Sequence, residues 1–158
     1  IISVIFCFSP CSLSLQNTPP PQPENFLNTI GPGEGGGKIL LYKRKAEEYL
    51  LDLADKGKIE GCVVHPGGLI DQPGGQREIV IGVDDNLLKG TVRSIPRADV
   101  AALSVACATL PEAKNCSLDA VAKSPEDSKA PTTDFAALLR TLGGRSAKYI
   151  ALPAEARV

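Results

Sequence analysis

From residue 38 onward, short apolar runs alternate with segments whose apolar residues recur at the 3.6-residue period of a helix. In chain order these segments are a helix at 38–56, strands at 62–65 and 78–81, a helix at 97–110, a strand at 116–121 and a helix at 134–142. Such an alternation is typical of an α/β domain whose helices cover a parallel sheet. We therefore predict an α/β fold on a parallel sheet.

The first helical segment is amphipathic. Its apolar residues form one stripe: Ile39, Tyr42, Ala46, Tyr49, Leu50 and Leu53. Its charged residues fall mostly on the other side: Lys43, Arg44, Glu47, Glu48 and Asp52. This pattern predicts that the apolar stripe packs on the sheet and that Gly57 ends the helix. Pro96 is predicted to open the second helix, and Thr133 is the predicted N-cap of the third.

Residues 1–37 have a different character. IISVIFCF, residues 1–8, is apolar and β-branched, which predicts a buried strand. A buried strand or mistranslated sequence is favoured over the alternative, a targeting segment, because no Lys or Arg precedes the apolar run. Residues 9–37 are rich in Pro, Ser, Asn and Gly, and PGGLIDQPGG at 66–75 is also predicted to be a loop. The predicted organisation is a strand-like start and loop at 1–37, an α/β segment at 38–142 and a tail at 143–158.

The glycine run at 31–37 contains the spacing G-x-G-x-x-G at Gly31, Gly33 and Gly36. A dinucleotide-binding loop needs a buried strand just before it, whereas here a proline-rich stretch precedes the glycines. It also fails as a Walker loop, because Ile39 rather than Ser or Thr follows Lys38. We predict a flexible loop before a helix; a phosphate cradle is the alternative.

Charge and cysteine content narrow the class of protein. The net charge of -1 gives no electrostatic reason to expect nucleic acid or an anionic membrane as a partner, and no run has the ~18 apolar residues of a membrane span. The five cysteines are dispersed, without a C-x-x-C pair, and His65 is the single histidine, so we predict reduced thiols and no metal site. This usage favours an intracellular, reducing compartment, either cytoplasm or plastid.

Lys45, near the start of the first helix, is a candidate catalytic residue together with Tyr42. A lysine at such a place can bond a nicotinamide ribose hydroxyl and lower the pKa of a phenol stacked four residues earlier. Leu41 occupies that earlier position, and Tyr42 is turned ~100° around the helix from it. On spacing alone the preferred interpretation is that Tyr42 belongs to the core and Lys45 is a solvated lysine.

Six segments, in this order, carry a resemblance to a known family: ILLYKRKAEEYL, CVVHPGGL, IVIGVDDNLL, IPRADVA, EAKN and PTTDF. Together they resemble the C-terminal half of atypical short-chain dehydrogenase/reductases of the NmrA-like, NAD(P)-binding branch, over about residues 23–142. The resemblance implies half of a Rossmann-like, doubly wound parallel sheet. It also implies NAD or NADP as cofactor and a small carbonyl or quinone-like substrate.

The resemblance implies roles for particular residues. Lys45 stands where the family's helix lysine contacts the nicotinamide ribose, and Pro66, Gly67, Gly68 and Leu69 match a loop that packs against the nicotinamide. A plain strand-to-loop turn is the alternative for that loop. His65 stands where relatives often have Arg. Arg97 and Asp99 match the IPRADVA segment, and we interpret them as favourable charges at a helix start.

The departures from the family predict a fragment. The N-terminal, phosphate-binding half has no counterpart here, and the sequence contains no methionine, even at position 1. We therefore expect a truncated, processed or incompletely assigned chain that binds NADPH weakly and is poorly soluble alone, because half a sheet exposes an edge. Leu41 at the family's active-site tyrosine position favours a second hypothesis, a non-catalytic NAD(P)-binding module. A truncated product without its own function is the third.

Overall fold

The computed structural model describes residues 3–7, 39–84, 86–144 and 146. The predicted loop at 9–37, with its glycine run, and most of the tail lie outside these residues. The strands are β1 (Ser3–Cys7), β2 (Glu60–Pro66), β3 (Gly68–Ile70), β4 (Ile79–Gly82), β5 (Ser94–Pro96) and β6 (Cys116–Ala122). The helices are α1 (Ile39–Asp55), α2 (Arg97–Thr109) and α3 (Phe135–Arg140), with 3₁₀ turns at Asn86–Lys89 and Pro111–Ala113. The chain is a mixed α/β structure.

The main sheet has four strands in the order β1-β2-β6-β4. β1, β2 and β6 are parallel, as predicted, but β4 runs antiparallel to β6, so the prediction of a purely parallel sheet is wrong. The reason lies in the connection after β2. No helix carries the chain back along the sheet between Pro66 and Ile79. The chain therefore re-enters the sheet at the same end at which β2 left it, and β4 must run antiparallel to β2 and β6.

The prediction that residues 66–75 form a loop is wrong in part, because β3 belongs to a second, two-stranded sheet. β3 pairs in parallel with β5, and Leu69 lies beside Ile95. The pairing begins with a hydrogen bond that the Gly68 N–H donates to the Arg93 carbonyl oxygen, at 2.6 Å. The Pro-Gly turn after β2 is therefore clamped to residues 93–96, and both strands were too short to be seen as patterns in the sequence.

Helices cover the main sheet on both faces. On one face α1 packs on β2, where Leu50 contacts Val63 in a small cluster with Ile59. On the other face α2 packs on β1, β2 and β5, and the larger core joins Val100 and Leu103 to the alternating strand residues. The strand residues of this core include Cys62, Val64, Ile79, Ile81, Leu118 and Ala120. On α2 the buried residues include Val100, Leu103 and Cys107.

The buried face of α1 is not the predicted one. The residues turned to the sheet are Glu47, Leu50 and Ala54, at 2%, 5% and 4% exposure, whereas Tyr42 and Tyr49 are 62% and 67% exposed. The interpretation of Tyr42 as a core residue is therefore wrong. The helix is rotated by about one residue, ~100°, from the predicted stripe, and Glu47 on its buried side meets polar partners on the sheet.

The helix boundaries are mostly those predicted. α1 ends at Asp55, and Gly57 adopts φ +66°, a left-handed conformation that glycine reaches without a steric penalty. Pro96 is the N-cap of α2, as predicted. Thr133 is not the N-cap of α3. Asp134 takes that position, and its side chain accepts a hydrogen bond from the Ala137 N–H.

Three of the cysteines that are dispersed in the sequence come together in the described part of the fold. Cys62, Cys107 and Cys116 are buried and unbridged, and the sulfurs of Cys62 and Cys116 are 3.5 Å apart on neighbouring strands. Contacts with the Cys107 and Cys116 thiols, together with burial, raise the pKa of the Cys62 thiol. Among the described residues, no group of His, Cys, Asp and Glu has a metal-binding arrangement. None of the described helices combines the length and apolar character needed to cross a membrane.

Candidate functional site

The sheet face beneath α1 carries an unusual number of polar side chains. His65, Ser117 and Asp119 point to this face from β2 and β6, and their exposures are 3%, 0% and 4%. His65 and Asp119 are direct neighbours in the strand register. Strands buried on both faces normally present apolar residues there, so this face has a polar layer that the core does not require.

Glu47 of α1 makes direct contacts with two of these side chains, His65 of β2 and Ser117 of β6. The Ser117 hydroxyl donates to Glu47 Oε1 at 2.8 Å, and His65 Nε2 lies 3.0 Å from the same oxygen and 3.2 Å from Ser117 Oγ. Because a carboxylate only accepts hydrogen bonds, the contact to Glu47 requires a hydrogen on His65 Nε2. Glu47 thus joins the helix to both strands through one oxygen atom.

These contacts show in which direction α1 runs along β2. Leu50 meets Val63 and Glu47 meets His65, so the N-terminal turns of α1 approach the carboxyl end of β2. Lys43 precedes Glu47 by four residues, about 6 Å of helix, and falls on the same helix face. Gly67 follows His65 by two residues, about 6.6 Å of strand. These spacings therefore predict that Lys43 lies level with the Pro-Gly turn.

Lys45 lies on another side of the helix. It is two residues from Glu47, about 200° around the axis. Its Nζ atom lies 5.6 Å from the centroid of the Tyr42 ring, and Tyr42 is an exposed residue of the outer surface. The helix and the Pro66–Leu69 turn thus share one face and one edge of the sheet, but Lys45 and Tyr42 are turned away from that face.

The turn at Pro66–Leu69 is held by backbone hydrogen bonds. Gly67 N–H donates to the Ala120 carbonyl at 2.7 Å, and Gly68 N–H donates to the Arg93 carbonyl. A Cβ atom on Gly67 would lie only 2.5 Å from the Arg93 oxygen and 3.0 Å from Val121 Cγ1. The missing side chain of Gly67 therefore accommodates the protein's own backbone. Gly68 is exposed, and a Cβ there would make an ordinary 3.5 Å contact.

A cavity of about 360 Å³ lies between β4, the end of β6 and the 3₁₀ turn at Asn86–Lys89. Its apolar walls include Val80, Leu87, Val92 and Val121, and Val121 Cγ1 is the atom that would lie 3.0 Å from a Cβ on Gly67. Two charged residues at the cavity have partners within the protein. Lys123 Nζ is 2.7 Å from Glu78 Oε1, and Asp127 accepts a hydrogen bond from the Ser124 hydroxyl at 2.7 Å. The cavity is therefore mainly apolar and its two charged residues have partners within the protein, which suits a small, largely apolar ligand.

The ion pair beside the cavity perturbs one carboxyl group. The hydrogen bond from Lys123, supported by a backbone bond from Lys129, holds the pKa of Glu78 below the value of an ordinary glutamate. A backbone bond from Lys123 N–H to the Glu78 carbonyl, at 2.9 Å, fixes the same two residues. The Glu78–Lys123 pair thereby links the residue before β4 to the residue after β6.

Arg97 and Asp99 do more than provide charge at a helix start. Asp99 lies in the first turn of α2, as predicted, but it is 3% exposed and accepts a 2.6 Å hydrogen bond from Gly75 N–H. Arg97 donates to Asp71 at 2.7 Å. Both residues tie the segment after β3 to α2, which holds the turn and its connection in place.

Sequence reasoning missed three residues of this site. Lys43, Glu47 and Ser117 were assigned to a solvated helix side or to a plain strand. Two signals were available. Lys43 and Glu47 share the i, i+4 spacing of one helix face, and a serine lies inside a mostly apolar strand. The contact with His65 could not be anticipated because it depends on the rotation of α1.

Comparison with known proteins shows similarity to plant proteins. The chain is 47% identical over 112 residues to an uncharacterised chloroplastic protein of Arabidopsis thaliana, At2g37660, covering 71% of this chain and 32% of that protein. It is 41% identical over 116 residues to sanguinarine reductase of Eschscholzia californica, covering 73% of this chain and 39% of the reductase. The chain thus spans about a third to two fifths of the length of these relatives.

Two further comparisons complete this picture. No protein-family model matches the chain. Among solved structures, the chain is similar to the oxidoreductase YlbE of Lactococcus lactis, with a TM-score of 0.44 and 16% identity, over 92% of this chain and 54% of that one.

Proposed function

We propose that this chain is the nicotinamide-side part of an NAD(P)-dependent oxidoreductase with a Rossmann-like fold. The main support is the placement of the first turns of α1 beside the Pro66–Leu69 turn, at the carboxyl edge of parallel strands. Open α/β sheets bind their ligands at that edge. The sequence similarity to a plant reductase agrees with this proposal. The phosphate-binding half of the whole enzyme is proposed to correspond to the part of the relatives that this chain does not cover.

We assign the ribose contact to Lys43 rather than to Lys45. The resemblance to short-chain dehydrogenases implies a lysine at this helix, and Lys43 is the one on the sheet-facing side, level with Gly67. Lys45 packs over the exposed ring of Tyr42. Gly68 and Leu69 are proposed to face the nicotinamide ring, while Pro66 and Gly67 support the turn from beneath.

The substrate is proposed to be a small carbonyl or quinone-like compound. The cavity next to Val121 has mainly apolar walls, and its volume of about 360 Å³ is at the low end for ligand sites. NAD and NADP are both retained as cofactors, since the residues that select between them are not in the described site. One relative is named as chloroplastic, which supports a plastid over the cytoplasm.

Binding of reduced nicotinamide mononucleotide tests this function directly. This ligand carries the nicotinamide ribose without the adenine half, so it probes only the end of the cofactor that the chain is proposed to hold. In an amide NMR titration, we expect shifts at Gly68, Leu69 and the first turns of α1. Lys43→Met should weaken binding at least tenfold and Lys45→Met less than twofold. Equal losses of binding in the two lysine variants would contradict the assignment of the ribose contact to Lys43. Absence of binding to the wild-type chain would contradict the proposed function.

A non-catalytic nicotinamide-binding module is the second candidate. Leu41 stands at the position that the resemblance assigns to an active-site tyrosine, and Tyr42 is 62% exposed beside Lys45. No described phenol is therefore placed beside Lys43. Oxidation of NADPH in the presence of a panel of small ketones and quinones distinguishes the two candidates. Binding without turnover, in a chain extended to the full length of its relatives, would favour the module.

A further inference from the structure

The polar cluster of Glu47, His65 and Ser117 is a poor choice for stability alone. All three side chains are at most 3% exposed, so each has lost its hydration on folding. Buried polar and ionic groups recover that cost only through their mutual contacts, and apolar residues of similar volume often stabilise a protein equally well or better. The cluster's distinctive property is therefore direction: two hydrogen bonds to one carboxylate oxygen, and a third contact between His65 and Ser117, depend on orientation more strongly than apolar packing does.

The cluster lies where orientation has the largest effect on the proposed site. Among the described residues of α1, Leu50 and Ala54 are buried beside Glu47, and Leu50 packs on Val63. Such non-directional contacts define the rotation of a helix less strictly than hydrogen bonds do. A rotation by one residue, about 100°, would turn Lys43 off the sheet-facing side. Glu47 is one helical turn from Lys43, and His65 is two residues from Gly67.

We propose that Glu47, His65 and Ser117 are positioning residues: they fix the rotation of α1 so that Lys43 is held beside the Pro66–Leu69 turn. This inference rests on the proposed function, in which Lys43 contacts the nicotinamide ribose. The three side chains act through Lys43 and do not touch the ligand themselves. Loss of the cluster should therefore affect ligand binding and the mobility of α1 more than it affects global stability.

The test replaces the cluster by apolar residues in the full 158-residue chain. In the variant Glu47→Met, His65→Leu, Ser117→Ala we expect a melting temperature equal to or above that of the wild type. Binding of reduced nicotinamide mononucleotide should weaken at least tenfold, and amide hydrogen exchange in α1 should become at least tenfold faster. Glu47→Gln keeps an acceptor oxygen for both partners, so its binding should stay within threefold of the wild type.

A second, smaller variant covers the case in which the triple variant does not fold. Ser117→Ala removes one hydrogen bond to Glu47 and leaves the packing of β6 almost unchanged, and we expect about threefold weaker binding with an unchanged melting temperature. Wild-type binding and wild-type α1 exchange in either folded variant would overturn the positioning role. If the wild-type chain itself does not bind the mononucleotide, the proposed function fails, and the exchange of α1 alone decides whether the cluster fixes the helix.

Discussion

Gly67 and Arg93 are packed so closely that the Arg93 carbonyl oxygen occupies the space of a side chain at position 67. A Cβ atom there would lie 2.5 Å from this oxygen, whereas at the adjacent Gly68 the same distance would be 3.5 Å. The two glycines of one turn thus have different constraints. The first accommodates the β3–β5 clamp, and the second is open to solvent.

Gly67→Ala is predicted to destabilise the chain, and Gly68→Ala is its matched control. The Arg93 oxygen belongs to backbone that is fixed by the Gly68 hydrogen bond, so it cannot move aside easily. We expect a loss of about 1–3 kcal/mol for Gly67→Ala, typical of overpacking, and less than about 0.5 kcal/mol for Gly68→Ala. Urea unfolding followed by circular dichroism measures both. Equal losses at the two positions would show that the close contact with Arg93 is not rigid.

The N-cap of α3 can be tested by a pair of neighbouring substitutions. Asp134 Oδ1 accepts a 2.8 Å hydrogen bond from Ala137 N–H, so Asp134→Ala should cost about 1 kcal/mol in the free energy of unfolding. Thr133→Ala should cost much less, because Thr133 is exposed and outside the helix. A larger loss at Thr133 than at Asp134 would restore the cap that the sequence pattern predicted.

The sequence predicted α/β order well because each long element carries its own period. The helix at 38–56 and the strand at 116–121 were placed within one residue of α1 and β6. The direction of β4 and the β3–β5 pair were missed, since both depend on how the chain returns to the sheet after Pro66. No local pattern encodes that return.

The candidate site was predicted only in part, for a related reason. The Pro66–Leu69 turn and the lysine-bearing helix were both identified, and Glu47 of that helix contacts His65, the residue before the turn. The choice between Lys43 and Lys45 depends on the rotation of α1, which we propose is fixed by Glu47 and two residues distant in sequence. The two exposed tyrosines misled the assignment of the buried face, because aromatic residues in a helical stripe usually mark a core.

The Glu78–Lys123 ion pair is predicted to make stability depend on acid pH. The folded-state pKa of Glu78 is lowered below 4.5, so the pair stabilises the fold fully above pH 4.5. That contribution is lost as the pH falls through the lowered pKa. Glu78→Gln should therefore lower the melting temperature at pH 7, and its difference from the wild type should shrink as the pH falls through the lowered pKa of Glu78.

Melting curves between pH 7 and pH 2 measure this difference. Lys123→Met should reproduce the pH dependence of Glu78→Gln, because it removes the other partner of the same bond. Lys129→Met should have a smaller effect, since the side chain of Lys129 contributes less to the shift than Lys123 does. A constant difference between wild type and Glu78→Gln at all pH values would contradict an ion-pair origin.

The clustered thiols are predicted to be unreactive while the chain is folded. Cys62, Cys107 and Cys116 are 2%, 7% and 6% exposed, and the pKa of Cys62 is raised by its thiol neighbours and by burial. Because the thiolate is the reactive form, iodoacetamide at pH 8 should modify these residues at least ~100-fold more slowly in the native chain than in 8 M urea. Mass spectrometry of the alkylated peptides measures each position separately. Native modification of Cys62 at the unfolded rate would mean that the β2–β6 pairing opens readily.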